Sequence, residues 1–292
     1  MTAAATVSNF YYGAVTPIAA YLMACFGAAL GLRCTTRSLR GARRGRKSGW
    51  LALGAVSMGC GIWTMHFVGM IGFNVQGALV SYDPAGTLLS LAVAIVVVAV
   101  GVFLVGYRGA APLNLGMAGT ITGLGVAAMH YLGMAAMHTH GTLHYSAPTV
   151  ALSVLIAVVA ATAALWAAVS VHGLRSSLGA SLVMGLAVTG MHYTGMAAVS
   201  VDLNGATATG QSSVGLLSFL LFMLAGPLMV LLIAAVIVMF DPDMMLGDDE
   251  RERPVSGAHG AHGAHGAHGA HRATAEPAES GVSGESAERA SW

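Results

Sequence analysis

Seven stretches of this chain, each about twenty residues or longer, contain no Asp, Glu, Lys or Arg. They span residues 11–32, 50–72, 87–107, 113–137, 149–171, 178–200 and 213–240. A helix crossing the hydrocarbon core of a bilayer needs about 20 mostly apolar residues. Lipid also demands that backbone polar groups be satisfied within the segment. None of the stretches alternates polar and apolar residues as a barrel strand would. The sequence therefore predicts an all-α polytopic membrane protein with seven transmembrane helices. Only 9% of the residues are charged, against roughly 25% in an average soluble domain, which excludes a water-soluble globule. Of the 12 acidic residues, all but Asp83 and Asp202 follow Phe240. Residues 241–292 thus read as a polar, disordered tail, because their Ala, Ser, Gly and Glu content cannot build a core.

The basic residues fix an expected orientation. Arg33, Arg37, Arg40, Arg43, Arg44, Arg46 and Lys47 follow the first span, Arg108 the third and Arg175 the fifth; Arg251, Arg253, Arg272 and Arg289 lie in the tail. All 13 Lys and Arg residues therefore fall on one side, which the positive-inside rule assigns to the cytoplasm. The expected location is a plasma membrane, with the N-terminus outside and the C-terminus inside. The first span has no basic residues before it and its positive flank follows it, so it reads as a retained helix rather than a cleaved signal. Cys25, Cys34 and Cys60 form neither a disulfide framework nor a CxxC pair and read as small buried hydrophobes.

Ionisable residues inside a bilayer are functional candidates by default, and here they are histidines in a repeated sextet. The second span reads Met65-His66-Phe67-Val68-Gly69-Met70, the fourth Met129-His130-Tyr131-Leu132-Gly133-Met134, and the sixth Met191-His192-Tyr193-Thr194-Gly195-Met196. The spacing is one helical hairpin, so the body reads as three tandem hairpins plus a seventh helix, with every sextet in the same orientation. Each histidine lies about 6–8 residues, roughly 9–12 Å, from the outer end of its span. A methionine four residues on shares the histidine's face, and Gly59, Gly123 and Gly185 stand seven residues before. Small residues permit close helix approach, so the three faces are expected to meet in one pocket. Three imidazoles with up to three thioethers suit soft or borderline ions, copper above all. Zinc accepts three histidines but rarely methionine.

The recurrent Met-His-Tyr followed by Gly-Met resembles the MHYT domain of bacterial integral membrane sensors, which has six helices and three such motifs near the outer face. The resemblance covers about residues 11–200, followed by a seventh helix at 213–240 and the tail at 241–292. It implies a sensor of oxygen, carbon monoxide or nitric oxide acting through bound copper. The metal-site residues it implies are His66, His130 and His192, with Met65, Met129, Met191, Met70, Met134 and Met196, and with Tyr131 and Tyr193 beside them. The chain departs from the pattern at Phe67, where the family favours tyrosine. Many relatives continue into domains that make or break cyclic dinucleotides. The 52-residue tail is too short for one, so the expected output is an unidentified cytoplasmic signalling protein.

Histidines also occur outside the spans. His138, His140 and His144 lie in the loop after the fourth span, where they are candidates for cation capture. The tail repeats Gly-Ala-His at His259, His262, His265, His268 and His271, a period that aligns them along an extended chain and suits weak metal binding. The alternative to a sensor is copper transport or delivery, separable by measured uptake. A haem electron carrier is disfavoured because His172 is the only histidine near the inner face, limiting it to one haem. A retinal protein would need a membrane lysine, and the sole lysine, Lys47, lies in a loop. No buried acids suit proton-coupled transport, and no nucleophile–base pair, phosphate loop or HExxH is present. The expectation is a non-enzymatic membrane protein with the bilayer and a small ligand, not nucleic acid, as partners.

Overall fold

The computed structural model describes residues 3–4, 7–39, 44–75, 80–139, 141–171, 173–203 and 213–241. Its helices are α1 (Val15–Leu39), α2 (Arg44–Ile71), α3 (Pro84–Arg108), α4 (Pro112–Ala135), α5 (Ala147–Ser170), α6 (Leu174–Ala197) and α7 (Ser213–Met239). All seven are long and apolar enough to cross a membrane. The first helix runs seven residues beyond its apolar stretch, so Arg33 and Arg37 ride on its last turns rather than in a loop. Long basic side chains tolerate this at a membrane edge because they extend their charge toward water. Large apolar side chains such as Leu89, Val96, Leu155, Val183 and Phe222 are more than half exposed along the outside, a band only lipid would cover.

Short strands complete the repeat, and the apolar periodicity gave no hint of them. They are β1 (Ala3–Ala4), β2 (Val7–Ser8), β3 (Asn74–Val75), β4 (Val80–Tyr82), β5 (Met137–Thr139), β6 (Gly141–Tyr145) and β7 (Val199–Leu203). The antiparallel pairs are β2 with β3, β4 with β5 and β6 with β7, while β1 adds to β7. Each unit is thus strand, helix, motif helix, strand, with its own ends paired. One backbone hydrogen bond recurs at the same place in all three: Tyr11 N–H to Gly72 O, Asp83 N–H to Ala136 O, and Ser146 N–H to Ala198 O, at 2.9–3.0 Å. The acceptors each stand six residues after a motif histidine. Local chemistry sets the helix starts: the Asp83 carboxylate accepts from the Gly86 N–H at 2.6 Å and Pro84 occupies the first turn, an arrangement that satisfies otherwise orphaned donors.

The six helices of the repeat form a closed ring in which α6 packs against α1, and α7 lies outside against α2 and α1. Glycines set the spacing. A methyl on Gly27 would lie 2.6 Å from Gly61 Cα, so α1 and α2 touch backbone to backbone, as membrane helices do where hydrophobic driving force is absent. Gly59, Gly123 and Gly185 act between each motif helix and the next outer helix, against Ile95 on α3, Val158 on α5 and Cys25 on α1. They bring the ring together edgewise rather than lining its axis. The three cysteines are free and buried.

Candidate metal centre

Each motif histidine lies five residues before the end of its helix, or roughly 7–8 Å along the axis, slightly shallower than the sequence suggests. All three imidazoles converge. His66, His130 and His192 are at most 1% exposed. Their Nδ1 atoms form a triangle with sides of 3.1, 3.1 and 3.3 Å. The rings stand nearly perpendicular to one another, at 80–88° with centroids 4.9–5.2 Å apart. Among the described residues they are the one group of three or more His, Cys, Asp or Glu placed to share a metal ion.

The triangle carries a chemical conflict. A hydrogen bond between two ring nitrogens needs a proton on one and a lone pair on the other. Three nitrogens in a closed loop cannot be divided so that every pair is unlike. At least one side sets lone pair against lone pair or proton against proton. A cation among the three nitrogens removes the conflict, since all three then present lone pairs and the protons reside on Nε2. The centre of such a triangle is about 1.8 Å from each corner. That is a little inside the roughly 2.0–2.1 Å of a zinc–imidazole bond, so with a small expansion of the triangle these three residues could hold a first-row ion.

The glycine of each sextet explains how the rings are held. A methyl on Gly133 would overlap the Nε2 edge of His66; one on Gly195, that of His130; one on Gly69, that of His192. Each ring is therefore seated on the bare helix backbone of a neighbouring motif, in a cycle that runs once round the axis. The three Nε2 atoms are buried and have no hydrogen-bond partner among the described residues. The sequence alone does not reveal this role of Gly69, Gly133 and Gly195, although the glycine three residues after each histidine is its signal.

The six methionines are all buried, at 2% exposure or less. Met70, Met134 and Met196 stand one turn beyond the histidines, while Met65 packs with Ala20 and Ala24 of α1. The structure thus brings the imidazoles together as nitrogen donors, with the thioethers packed in the surrounding core. His144 lies on β6 with Nε2 3.3 Å from Asp202 Oδ2, both solvent-exposed, and His138 lies on β5 opposite Ser81. His140, His172 and the histidine tract of residues 259–271 lie outside the described residues.

Position 67 is rebuilt locally rather than left deficient. In the second repeat the Tyr131 hydroxyl donates to Ser153 Oγ at 2.6 Å, and Ser153 donates to Val150 O. The equivalent serine facing the first motif, Ser90 on α3, donates to Thr87 O and accepts from the Trp63 indole at 2.9 Å instead. Phe67 packs on that indole at 4.5 Å and against Tyr82 at 5.9 Å. Burial holds the Tyr82 phenol above its ordinary pKa, so it stays a neutral ring. Tyr193 stacks on Phe10 at 5.4 Å. Tyr131→Phe is expected to cost about 1 kcal/mol, the net worth of one hydrogen bond. Phe67→Tyr is expected to cost about 1–3 kcal/mol, because the added hydroxyl overpacks a fully buried site where the Trp63 indole already approaches Ser90. Thermal unfolding in detergent measures both.

Comparison with known proteins finds the same sequence repeat. The profile of the MHYT family, described as a bacterial signalling protein N-terminal repeat, matches twice, over residues 59–118 and 123–181. The chain carries repeats of the MHYT-domain family. The matched segments begin at the glycines seven residues before His66 and His130, and the third motif of this MHYT protein follows the second match at the same hairpin spacing. The chain is 45% identical over 166 residues to the bifunctional diguanylate cyclase/cyclic di-GMP phosphodiesterase MucR of Pseudomonas aeruginosa. It is 37% identical over 211 residues to the cyclic di-GMP phosphodiesterase NbdA of the same organism, and 37% identical over 163 residues to an uncharacterized signaling protein of Caulobacter vibrioides. These alignments cover 55%, 69% and 56% of this chain but 24%, 26% and 20% of the respective relatives. The chain therefore spans about a quarter or less of their length. No solved structure matches the chain.

Proposed function

We propose that this MHYT domain is a membrane sensor whose receiving site is the triangle of His66, His130 and His192, holding a copper ion near the outer face. The observation that carries the reading is the mutual approach of three Nδ1 atoms at 3.1–3.3 Å, an arrangement whose internal conflict a soft cation removes. The imidazoles would hold the ion, and the glycines of neighbouring motifs would keep each ring in place. When bound, copper would supply a soft Lewis-acidic centre able to bind oxygen, carbon monoxide or nitric oxide. Because each ring rests on the backbone of another motif helix, any rotation of one imidazole presses on the next. The three motif helices therefore respond as one body, and their far ends deliver the change to the basic end of the bundle.

By the positive-inside rule the basic end would face the cytoplasm and the paired strands the outside. An unidentified cytoplasmic signalling protein would read the change there. The chain itself carries no catalytic step in this reading.

The test is elemental analysis of the full-length protein, purified in detergent, in a background where the five Gly-Ala-His histidines are changed to alanine. About one copper per chain is expected. Adding His66→Ala, His130→Ala and His192→Ala should abolish it. Equal copper with and without the three motif histidines would refute the site, as would no copper in the background protein.

A further inference from the structure

A hollow lies on the axis of the ring, on the basic side of the histidines. Its lining includes Ile62, Val126 and Val188, each four residues before a motif histidine, and Met58, Thr122 and Met184, each eight before. All three repeats therefore contribute equivalent positions, about one and two turns beneath the imidazoles. Its volume is about 50 Å³. The space arises from unequal outer helices. Ala161 of α5 stands where α3 carries Val98, and Ala24 and Ala28 of α1 also line the wall.

The chemistry of this wall excludes water. Thr122 is the one lining residue with a polar side chain, and its hydroxyl already donates to Val97 O at 3.4 Å. A buried water needs about 2–4 polar partners, and a cavity lined by apolar groups stays dry; one of about 150 Å³ takes up benzene or xenon. The lining atoms forfeit dispersion contacts that an apolar guest would restore. The bilayer around the ring concentrates apolar molecules.

From this we propose a second ligand site, distinct from the nitrogen triangle: a dry pocket that takes a neutral apolar molecule of one to a few heavy atoms, smaller than benzene. The site requires no metal, so it stands or falls separately from the copper reading. A guest there touches Met191, the neighbour of His192 in sequence, as well as the residues one turn beneath all three rings. Occupancy of the hollow is thus transmitted to the motif helices by direct contact.

Xenon is the probe. The full-length, metal-free protein is placed in lipid nanodiscs with its methionine methyl groups carbon-13 labelled, and xenon pressure is raised stepwise. Saturable shifts are expected at Met58, Met184 and Met191. Met117 and Met239, which are 48% and 67% exposed on the outside, should show only the linear drift of xenon dissolved in lipid. Ala161→Phe should fill the hollow and abolish saturation, and Ala157→Leu serves as the second filling variant if the first fails to fold. The proposal is overturned if the three lining methionines drift like the lipid-facing pair. It is equally overturned if saturation survives filling, or if water protons transfer magnetisation to the lining methyls.

Discussion

Gly133→Ala is expected to lower copper affinity about 10–100-fold, the usual loss when an outer-shell support of a metal ligand is removed. The new methyl would overlap Nε2 of His66. That ring has no free side to retreat to: it meets His130 and His192 at centroid distances of 4.9 and 5.0 Å and Phe67 at 4.7 Å. Overpacking of this kind costs about 1–3 kcal/mol, which breathing of the triangle relieves only by separating the nitrogens. The helix itself does not suffer, since alanine is a better helix former than glycine by about 1 kcal/mol. The distinctive expectation concerns which ring moves. Nitrogen-15 spectra of histidine-labelled protein should show the perturbation largest at His66, on another helix, and smaller at His130, three residues away on the same helix. Gly195→Ala should single out His130, and Gly69→Ala should single out His192. Gly190→Ala, where an added methyl meets nothing within 4 Å, is the control and should leave both affinity and spectra unchanged. The spectra of metal-free protein test the seating even if no copper binds. A Gly133→Ala spectrum in which His130 shifts most, or none of the three shifts, would refute it.

Much of this was legible in the chain. Seven charge-free stretches gave seven helices, because no other element satisfies its backbone in lipid. Three sextets at hairpin spacing gave three histidines at one height, because a repeat that crosses twice keeps its orientation. Other features depended on partners in three dimensions. The paired strands are not legible in the sequence because two- to five-residue ladders such as Val80–Tyr82 with Met137–Thr139 leave no periodicity. Gly59, Gly123 and Gly185 looked like the small face of the axis, but they admit the backbones of α3, α5 and α1 instead. Phe67 looked like a missing hydroxyl, yet Trp63, four residues earlier on the same face, supplies the donor that Ser90 requires. The roles of Gly69, Gly133 and Gly195 could not be assigned, since each acts on a histidine some sixty or more residues away in the chain.

The second large effect is expected at the opposite end of the bundle. The Arg37 Nε donates to Asp241 Oδ2 at 2.8 Å, with side chains only 12% and 8% exposed. Asp241 follows the end of α7, so the pair ties that helix to the last turns of α1. Asp241→Ala should destabilise the protein by about 3 kcal/mol, near the lower end of the range for removing one partner of a buried ion pair. Much of that cost comes from the guanidinium, which loses this carboxylate while remaining largely shielded from water. The Trp50 ring lies 5.7 Å from the guanidinium carbon, and a cation–π contact of about 0.5–2 kcal/mol does not replace the carboxylate. Combining Arg37→Met with Asp241→Leu should recover part of the loss, because both charges of this pair are then replaced by apolar side chains of similar size. Thermal unfolding of the purified protein reads all three forms. Since α7 packs on α2, which carries His66, while the histidine triangle is built at the other end of the ring, Asp241→Ala should loosen the seventh helix without changing copper stoichiometry. Retained copper with a lowered unfolding temperature would separate the receiving site from the helix that leaves the bundle. Loss of both together would instead make α7 part of the framework that holds the three rings in register.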